Sequence, residues 1–229
     1  MIKGIFFDFD GVLVESTDIK TVAFTQLFLP EGPAIAEQVT KYHLNNAGVS
    51  RYDKFRYIYR EIIKRPLPED EFQRLCSRFS SLVMDAVINA PFVKGAKEFL
   101  DRHSASLDLF VISATPQDEL EIILQKRSMA GYFKSVYGAP LPKNDAVARL
   151  LAERKLLPQD TVYVGDAMSD LHAAQANSVN FVARVHPNES LFDLVDCVKI
   201  NDLSELDGVA SALNLTLQIE KQLAKENNP

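Results

Sequence analysis

A short apolar run that halts at a pair of acids is the feature that most constrains this chain. Ile2-Lys3-Gly4-Ile5-Phe6-Phe7 is β-branched or aromatic almost throughout and gives way at once to Asp8-Phe9-Asp10-Gly11. That is how a buried strand meets a polar loop. The pattern recurs. Leu107-Asp108-Leu109-Phe110-Val111-Ile112 stops at Ser113-Ala114-Thr115-Pro116, and Thr161-Val162-Tyr163-Val164 stops at Gly165-Asp166. Val179-Asn180-Phe181-Val182-Ala183 follows, and Cys197-Val198-Lys199-Ile200 reads as a last edge strand. Helical stretches lie between, around 94–103, 117–128, 143–155 and 168–177. Strands alternating with helices of this length form right-handed βαβ units. The fold class is therefore α/β, a Rossmann-like parallel sheet flanked by helices. Ligands of such sheets bind beyond the carboxyl ends of the strands, where the polar clusters just named fall.

Residues 16–90 break the alternation. Phe55, Ile58, Tyr59, Ile62 and Ile63 are spaced for a helix, as are Phe72, Leu75, Phe79, Leu82 and Val83. Pro66-Leu67-Pro68 divides these two helices, and Glu69, Asp70 and Glu71 suit the first turn of the second. The block is too long for one crossover. It reads as an all-helical cap inserted at 16–90 into a catalytic core made of 1–15 and 91–229; helices lying flat on the sheet are the plainer alternative. From about 214 the chain turns amphipathic and then polar, which suggests a fraying terminal helix.

With 47% hydrophobic and 24% charged residues, the 229-residue chain has the composition of a soluble globular protein. A net charge of −6 argues against a nucleic-acid partner, since gripping a phosphate backbone calls for a basic face. Cys76 and Cys197, two and far apart, offer neither a disulfide framework nor a cysteine zinc site. No apolar stretch approaches the ~20 residues of a membrane span. The opening residues do not resemble a cleavable signal. A cytoplasmic protein without membrane partners, monomeric or weakly dimeric, is expected.

The acids carry the chemistry. Two loop aspartates such as Asp8 and Asp10 can be ordinary solvated turn residues. Held close, however, they repel: about 4 kcal/mol at ~4 Å and an effective dielectric of 20. Such a pair needs a cation or a shared proton. Asp166 and Asp170 form a second acidic pair at another strand end, though acids also favour a helix start for electrostatic reasons alone. Four carboxylates on one rim, without His or Cys beside them, describe a site for a hard cation, Mg²⁺ before Zn²⁺. Lys143, after Pro140-Leu141-Pro142, opens a helix and can lean over the same rim. Ser113 offers a hydroxyl among backbone N–H groups, a combination suited to a phosphate oxygen.

Taken in order, Asp-x-Asp-Gly-Val-Leu, Ser-Ala-Thr, a lysine before a helix and Gly-Asp-x-x-x-Asp resemble the haloacid dehalogenase-like hydrolase superfamily across essentially the whole chain. The resemblance implies that Asp8 is a nucleophile that becomes an aspartyl-phosphate, and that Asp10 is the general acid and then the base. Ser113 and Lys143 would hold phosphoryl oxygens. Asp8, the Asp10 carbonyl, Asp166 and Asp170 would hold Mg²⁺. Gly11, Ser113 and Ala114 are the candidate substrate contacts on the core side.

Ala47-Gly48-Val49-Ser50-Arg51 is similar to the cap loop of the β-phosphoglucomutase and phosphoglycolate phosphatase-like group, in which the arginine meets the distal end of the substrate. Arg51 takes that place; His43, Lys54 and Lys20 are further candidates on the same surface. The mutase has a histidine where Lys20 stands and lacks the acid at Asp170, which favours a phosphatase. The implied function is hydrolysis of a small phosphorylated metabolite such as a sugar phosphate. A sugar phosphomutase, or a metabolite-binding protein without turnover, is the rival reading.

Overall fold

A computed structural model of the chain describes residues 1–186 and 191–214. Its centre is a six-stranded, wholly parallel sheet. The strands are β1 (Gly4–Phe7), β2 (Asp108–Pro116), β3 (Ser135–Ala139), β4 (Thr161–Gly165), β5 (Asn180–Arg184) and β6 (Val198–Ile200), arranged β3-β2-β1-β4-β5-β6. The sheet is buried on both faces, so each strand is apolar at consecutive positions rather than alternate ones. Ile5 and Phe7 point to one side with Leu109, Val111, Val162 and Val164. Phe6 points to the other, stacked on Phe110 with ring centroids 5.3 Å apart. That side is closed by Ala146, Val147 and Leu150 of α7 (Lys143–Arg154) and by Ala173 and Ala174 of α8 (Met168–Ala176).

β1 lies between β2 and β4. The connection from β1 leads to one side of the sheet and later strands are laid on the other, so the end of β1 is a topological switch point. Asp8 follows β1 directly, Asp166 follows β4, and Ser113 lies on β2. Three strand ends thereby aim at one crevice.

Among the described residues five α-helices lie between β1 and β2, and the first four fall in the block after β1: α1 (Thr17–Phe28), α2 (Pro33–Asn45), α3 (Arg51–Tyr57) and α4 (Glu69–Asn89). A π-helical stretch, Ile58–Ile63, extends α3. Their inner faces meet in an aromatic cluster in which the Phe24 ring lies 4.7 Å from Phe79 and 5.6 Å from Phe55. On α4 the buried positions are Phe72, Leu75, Phe79, Val83 and Val87, a strict helical stripe. Leu82 is off that stripe and 42% exposed, a correction to its grouping with the buried face. α5 (Ala96–His103) and α6 (Gln117–Lys126) complete the layer over the Ile5–Phe7 side.

Two features depart from the sequence reading. β2 does not stop at Ser113: it runs on to Pro116, with its pairing to β3 shifting register between Ile112 and Pro116. β3 itself was not foreseen, because Ser135-Val136-Tyr137-Gly138-Ala139 is half polar or small and carries a glycine. Gly138 is needed there: a Cβ would come within 2.6 Å of the Thr115 carbonyl. The residues beyond 214, expected to form a terminal helix, lie outside the described ones. No helix among the described residues is long and apolar enough to cross a membrane.

The end of α4 is tied to the core by Arg127, just past α6. Its Nη1 shares two N–H bonds among the carbonyls of Val87 at 3.0 Å, Ile88 at 2.6 Å and Ala90 at 2.7 Å. A guanidinium at a helix C-terminus answers both the orphan carbonyls and the negative end of the dipole. Replacing Arg127 by Ala should lower stability by about 1–2 kcal/mol, water recovering part of the loss. Denaturant titration tests this: the midpoint should fall with the slope unchanged.

Candidate active site

Asp8 is driven to its position by strand burial: Phe7 before it and Phe9 after it are wholly buried, so the carboxyl has little access to water. Lys143, at the first turn of α7, lies across from it with Nζ 2.9 Å from Asp8 Oδ2 and 2.7 Å from Asp170 Oδ1. Asp170 is held further by the Tyr163 hydroxyl at 2.9 Å and by the Ala167 N–H at 3.1 Å. Asp166 completes the group, and His186 Nε2 stands 3.3 Å from its Oδ2. One oxygen from each of Asp8, Asp166 and Asp170 lies within 4.8 Å of the others, and all three residues are buried.

This cluster is short of positive charge. Burial raises the pKa of Asp8 to about 7; Lys143 opposes the shift, while Asp170 and Asp10 add to it. Burial likewise raises Asp166 and Asp170 above the usual carboxylate range. Burial works against the charge on Lys143, but Asp170 and Asp8 outweigh it and hold the amine above its ordinary value. Among the described residues one ammonium pairs with Asp8 and Asp170, while Asp166 has the His186 imidazole beside it. The donor set is all oxygen, converging and under-neutralised, which fits a hard divalent cation.

Asp10 stands apart. Ser16 Oγ donates to its Oδ1 at 2.6 Å, Thr115 Oγ1 to its Oδ2 at 2.9 Å, and Lys20 Nζ makes a short ion pair with the same Oδ2. Lys20 also donates to Thr115 Oγ1 at 2.8 Å. Burial pushes Asp10 up, but Lys20, Ser16 and Thr115 together hold it below the usual carboxylate range. Of the four carboxylates expected on one rim, three converge and the fourth, Asp10, has its own cradle beside them.

Gly11 also departs from expectation. It was a candidate substrate contact, but its N–H is already donated to Val14 O at 2.8 Å and its carbonyl accepts from Arg184 at 3.1 Å. Its requirement is steric. With φ +76°, it packs where a Cβ would lie 2.0 Å from Asp166 Oδ2. Ser113 is buried, and its Oγ accepts from the Thr115 N–H at 3.1 Å. It lines a cleft beside Lys143, next to the pocket that holds Asp8 and Asp10; Ala114 lines both.

The four remaining candidates, Lys20, His43, Arg51 and Lys54, all line the pocket with Asp8 and Asp10. Arg51, however, is already occupied. Its Nη1 and Nη2 clamp Glu119 of α6 at 2.9 and 2.7 Å, with Ser80 of α4 2.8 Å from Nη1 and Phe79 under the guanidinium at 4.6 Å. Lys54 Nζ lies 3.0 Å from His43 Nδ1, and the His43 ring stacks on Phe24 at 4.4 Å. The loop before α3 closes on the core: at Gly48, φ +76°, a Cβ would stand 2.2 Å from Ser169 Oγ.

Sequence reading missed the groups that position others. Within Ser-Ala-Thr nothing local gives Thr115 a role, and in sequence Tyr163 is one more apolar strand residue. Glu119 is 68 residues from Arg51, and nothing local marks the pair.

Comparison with known proteins gives a consistent picture. A family model described as haloacid dehalogenase-like hydrolase matches residues 5–184. A phosphoglycolate phosphatase of Synechococcus elongatus is 29% identical over 183 residues, covering 76% of this chain and 79% of its own. Among solved structures, β-phosphoglucomutase of Clostridium difficile superposes with a TM-score of 0.73 at 17% identity, over 95% of this chain and 99% of that one. A predicted phosphoglycolate phosphatase of Haemophilus somnus 129PT gives 0.71 at 19% identity, over 91% and 97%. At such identities the structural likeness speaks for the fold alone. The sequence match, which runs from β1 through β5, goes further, and by it the chain belongs to the haloacid dehalogenase-like hydrolase family.

Proposed function

We propose that the chain is a Mg²⁺-dependent phosphomonoesterase acting on a small phosphorylated metabolite, with residues 16–90 serving as a cap over the crevice. The observation that carries this reading is the division of the acids. Asp8 shares Lys143 with Asp170 and faces a cation site, while Asp10 is held apart in a hydrogen-bonded cradle of its own. Two carboxylates in two environments suit two roles. Sugar phosphates and short phosphorylated acids, the kind of ester named for the phosphoglycolate phosphatase relatives, both belong to this substrate class.

Asp8, Asp166 and Asp170, with the Asp10 carbonyl, would hold Mg²⁺. When bound, the ion neutralises the buried acids and the phosphoryl oxygens. The rest is done by the chain. Lys143 screens Asp8 from the approaching phosphate dianion, and Ser113 supplies a hydroxyl beside the same lysine. The Asp8 carboxylate attacks phosphorus and its P–O bond forms as the ester P–O bond breaks, leaving an aspartyl-phosphate. Asp10 donates a proton to the departing oxygen, then takes one from the water that releases phosphate. In the free protein Lys20, Ser16 and Thr115 hold Asp10 ionised, so protonation before the first step requires this cradle to loosen. Positioning and charge supply most of the rate in a loose phosphoryl transfer.

Asp8→Asn should abolish turnover, by on the order of 10³-fold or more, without unfolding the protein. Phosphate release and circular dichroism on one sample decide it, and full activity in the variant would refute the nucleophile. In the first step, read as the pre-steady-state burst of released alcohol or phenol, Asp10→Asn should lose about 10²- to 10⁴-fold on an alkyl phosphate and much less on an aryl phosphate, whose leaving group needs no proton. Breakdown of the shared aspartyl-phosphate should slow equally for both. Equal losses in the first step would contradict the acid role.

The raised pKa of Asp8 gives a pH signature. A carboxyl lifted to about 7 stabilises the metal-free protein at low pH, and that contribution is lost as pH rises through the window from 3.8 to about 7. Protons and Mg²⁺ then compete for the same oxygens. Thermal melts should show Mg²⁺ raising Tm more at about pH 8 than at about pH 6. A shift independent of pH, or none, would count against the site.

A further inference from the structure

The cations facing the pocket are not equally satisfied. Lys20 pairs with Asp10, Lys143 with Asp8 and Asp170, and Arg51 with Glu119. Lys54, only 3% exposed, has no carboxylate within ion-pair distance among the described residues. Its partners are His43 Nδ1 at 3.0 Å and the face of Phe24, 5.4 Å from the ring centre. When Lys54 is charged it can only donate, and His43 Nδ1 is then the acceptor. Burial, with Lys54 and Lys20 alongside, pushes the pKa of His43 down to about 3, in agreement. Two of the three Lys54 N–H bonds are left without an acceptor among the described residues. On the same pocket wall, Thr17 Oγ1 is buried and has no partner among them.

A buried charge of this kind is costly unless something completes it. Desolvation, helped by Lys20 and Lys143 and opposed by Asp10, drives the pKa of Lys54 down to about 7, so its charged form is held weakly and gains most from an anion placed beside it. Arg51, the residue the sequence nominated for the distal end of the substrate, offers no charge here because Glu119 already holds both of its forks. Among the described residues a second phosphate dianion would meet one cation without a carboxylate partner, Lys54, and a carboxylate beside the guanidinium. A neutral polyol would leave the ammonium uncompensated. A single carboxylate matches.

We infer that Lys54, seated against His43, is the specificity-determining residue of the pocket and receives a carboxylate carried by the substrate, so that the preferred esters are short phosphorylated acids. This rests on the phosphatase reading above and narrows its substrate class.

The test uses the full chain with Mg²⁺ and three probes: a two-carbon phosphate ester bearing a carboxylate, its primary amide counterpart and a hexose phosphate. Wild type should favour the acid over the amide in kcat/KM by about 10-fold or more, the range of a charge-assisted hydrogen bond. Lys54→Met should collapse that ratio, mainly through KM for the acid, and Lys54→Arg should restore part of it. A structural role would lower both esters together and leave the ratio intact. Because Met removes an uncompensated buried charge, the variant should melt no lower than wild type. A second readout needs no turnover: in an Asp8→Asn background the acid should raise Tm more than the amide, and adding Lys54→Met should erase the difference. Equal use of acid and amide by wild type, a preference for the hexose phosphate, or a ratio unmoved by Lys54→Met overturns the inference and leaves the phosphatase reading standing. No hydrolysis of any phosphate ester overturns both.

Discussion

One buried amine between two buried carboxylates organises the crevice. Lys143 reaches Asp8 from the sheet's central strand and Asp170 from α8, and none of the three is more than 8% exposed. Pairs of this kind lose much of their attraction to desolvation and hold a structure together mainly because breaking them strands a charge. The value of the arrangement lies in placement. α7 and α8 pack on the Phe6–Tyr163 face of the sheet through Ala146, Val147, Leu150, Ala173 and Ala174, and their N-termini then present Lys143 and Asp170 to the end of β1. Small side chains on α8 permit this close approach. Tyr163 links the two levels: its ring belongs to the apolar layer and its hydroxyl holds Asp170.

The legible parts of the fold were those in which burial leaves a linear trace. Strands β1 and β4 are consecutive apolar residues because both sides are covered, and each ends where water and chemistry begin. The helices showed as stripes. β3 left no such trace: Ser135 and Tyr137 are only half-buried, and Gly138 is dictated by the backbone of Thr115, a neighbour distant in sequence. The continuation of β2 past Ser113 was hidden for a related reason. Thr115 and Pro116 look like loop residues, and only pairing with β3 keeps them in the sheet.

For the crevice, spacing identified which residues carry charge but not which charges meet. Asp8 and Asp10 stand two apart, the arrangement expected of residues on the same side of a strand. But the chain leaves the sheet at Phe7, and the turn closed by Gly11 and Val14 sends Asp10 towards Ser16 and Lys20. The two acids therefore sit in different electrostatic surroundings, one pushed up by burial and the other held down by its donors. Asp8 is left to be neutralised by Lys143 and a cation while Asp10 has donors of its own, so the two acids do not compete for one counter-charge.

The cap side shows the same limit more sharply. From sequence, Arg51 was the natural anion binder, since a guanidinium fork matches two oxygens. Glu119 presents such a pair, and Ser80 donates to one of them, so the fork is satisfied within the chain. The clamp joins α3 and α4 to α6, helping to hold the loop at Gly48 against Ser169 across the crevice. Its consequence is electrostatic as well as mechanical. With Arg51 held by Glu119, the cap-side cation without a carboxylate partner among the described residues is Lys54, and by the inference above it is the group left to meet an anion of the substrate.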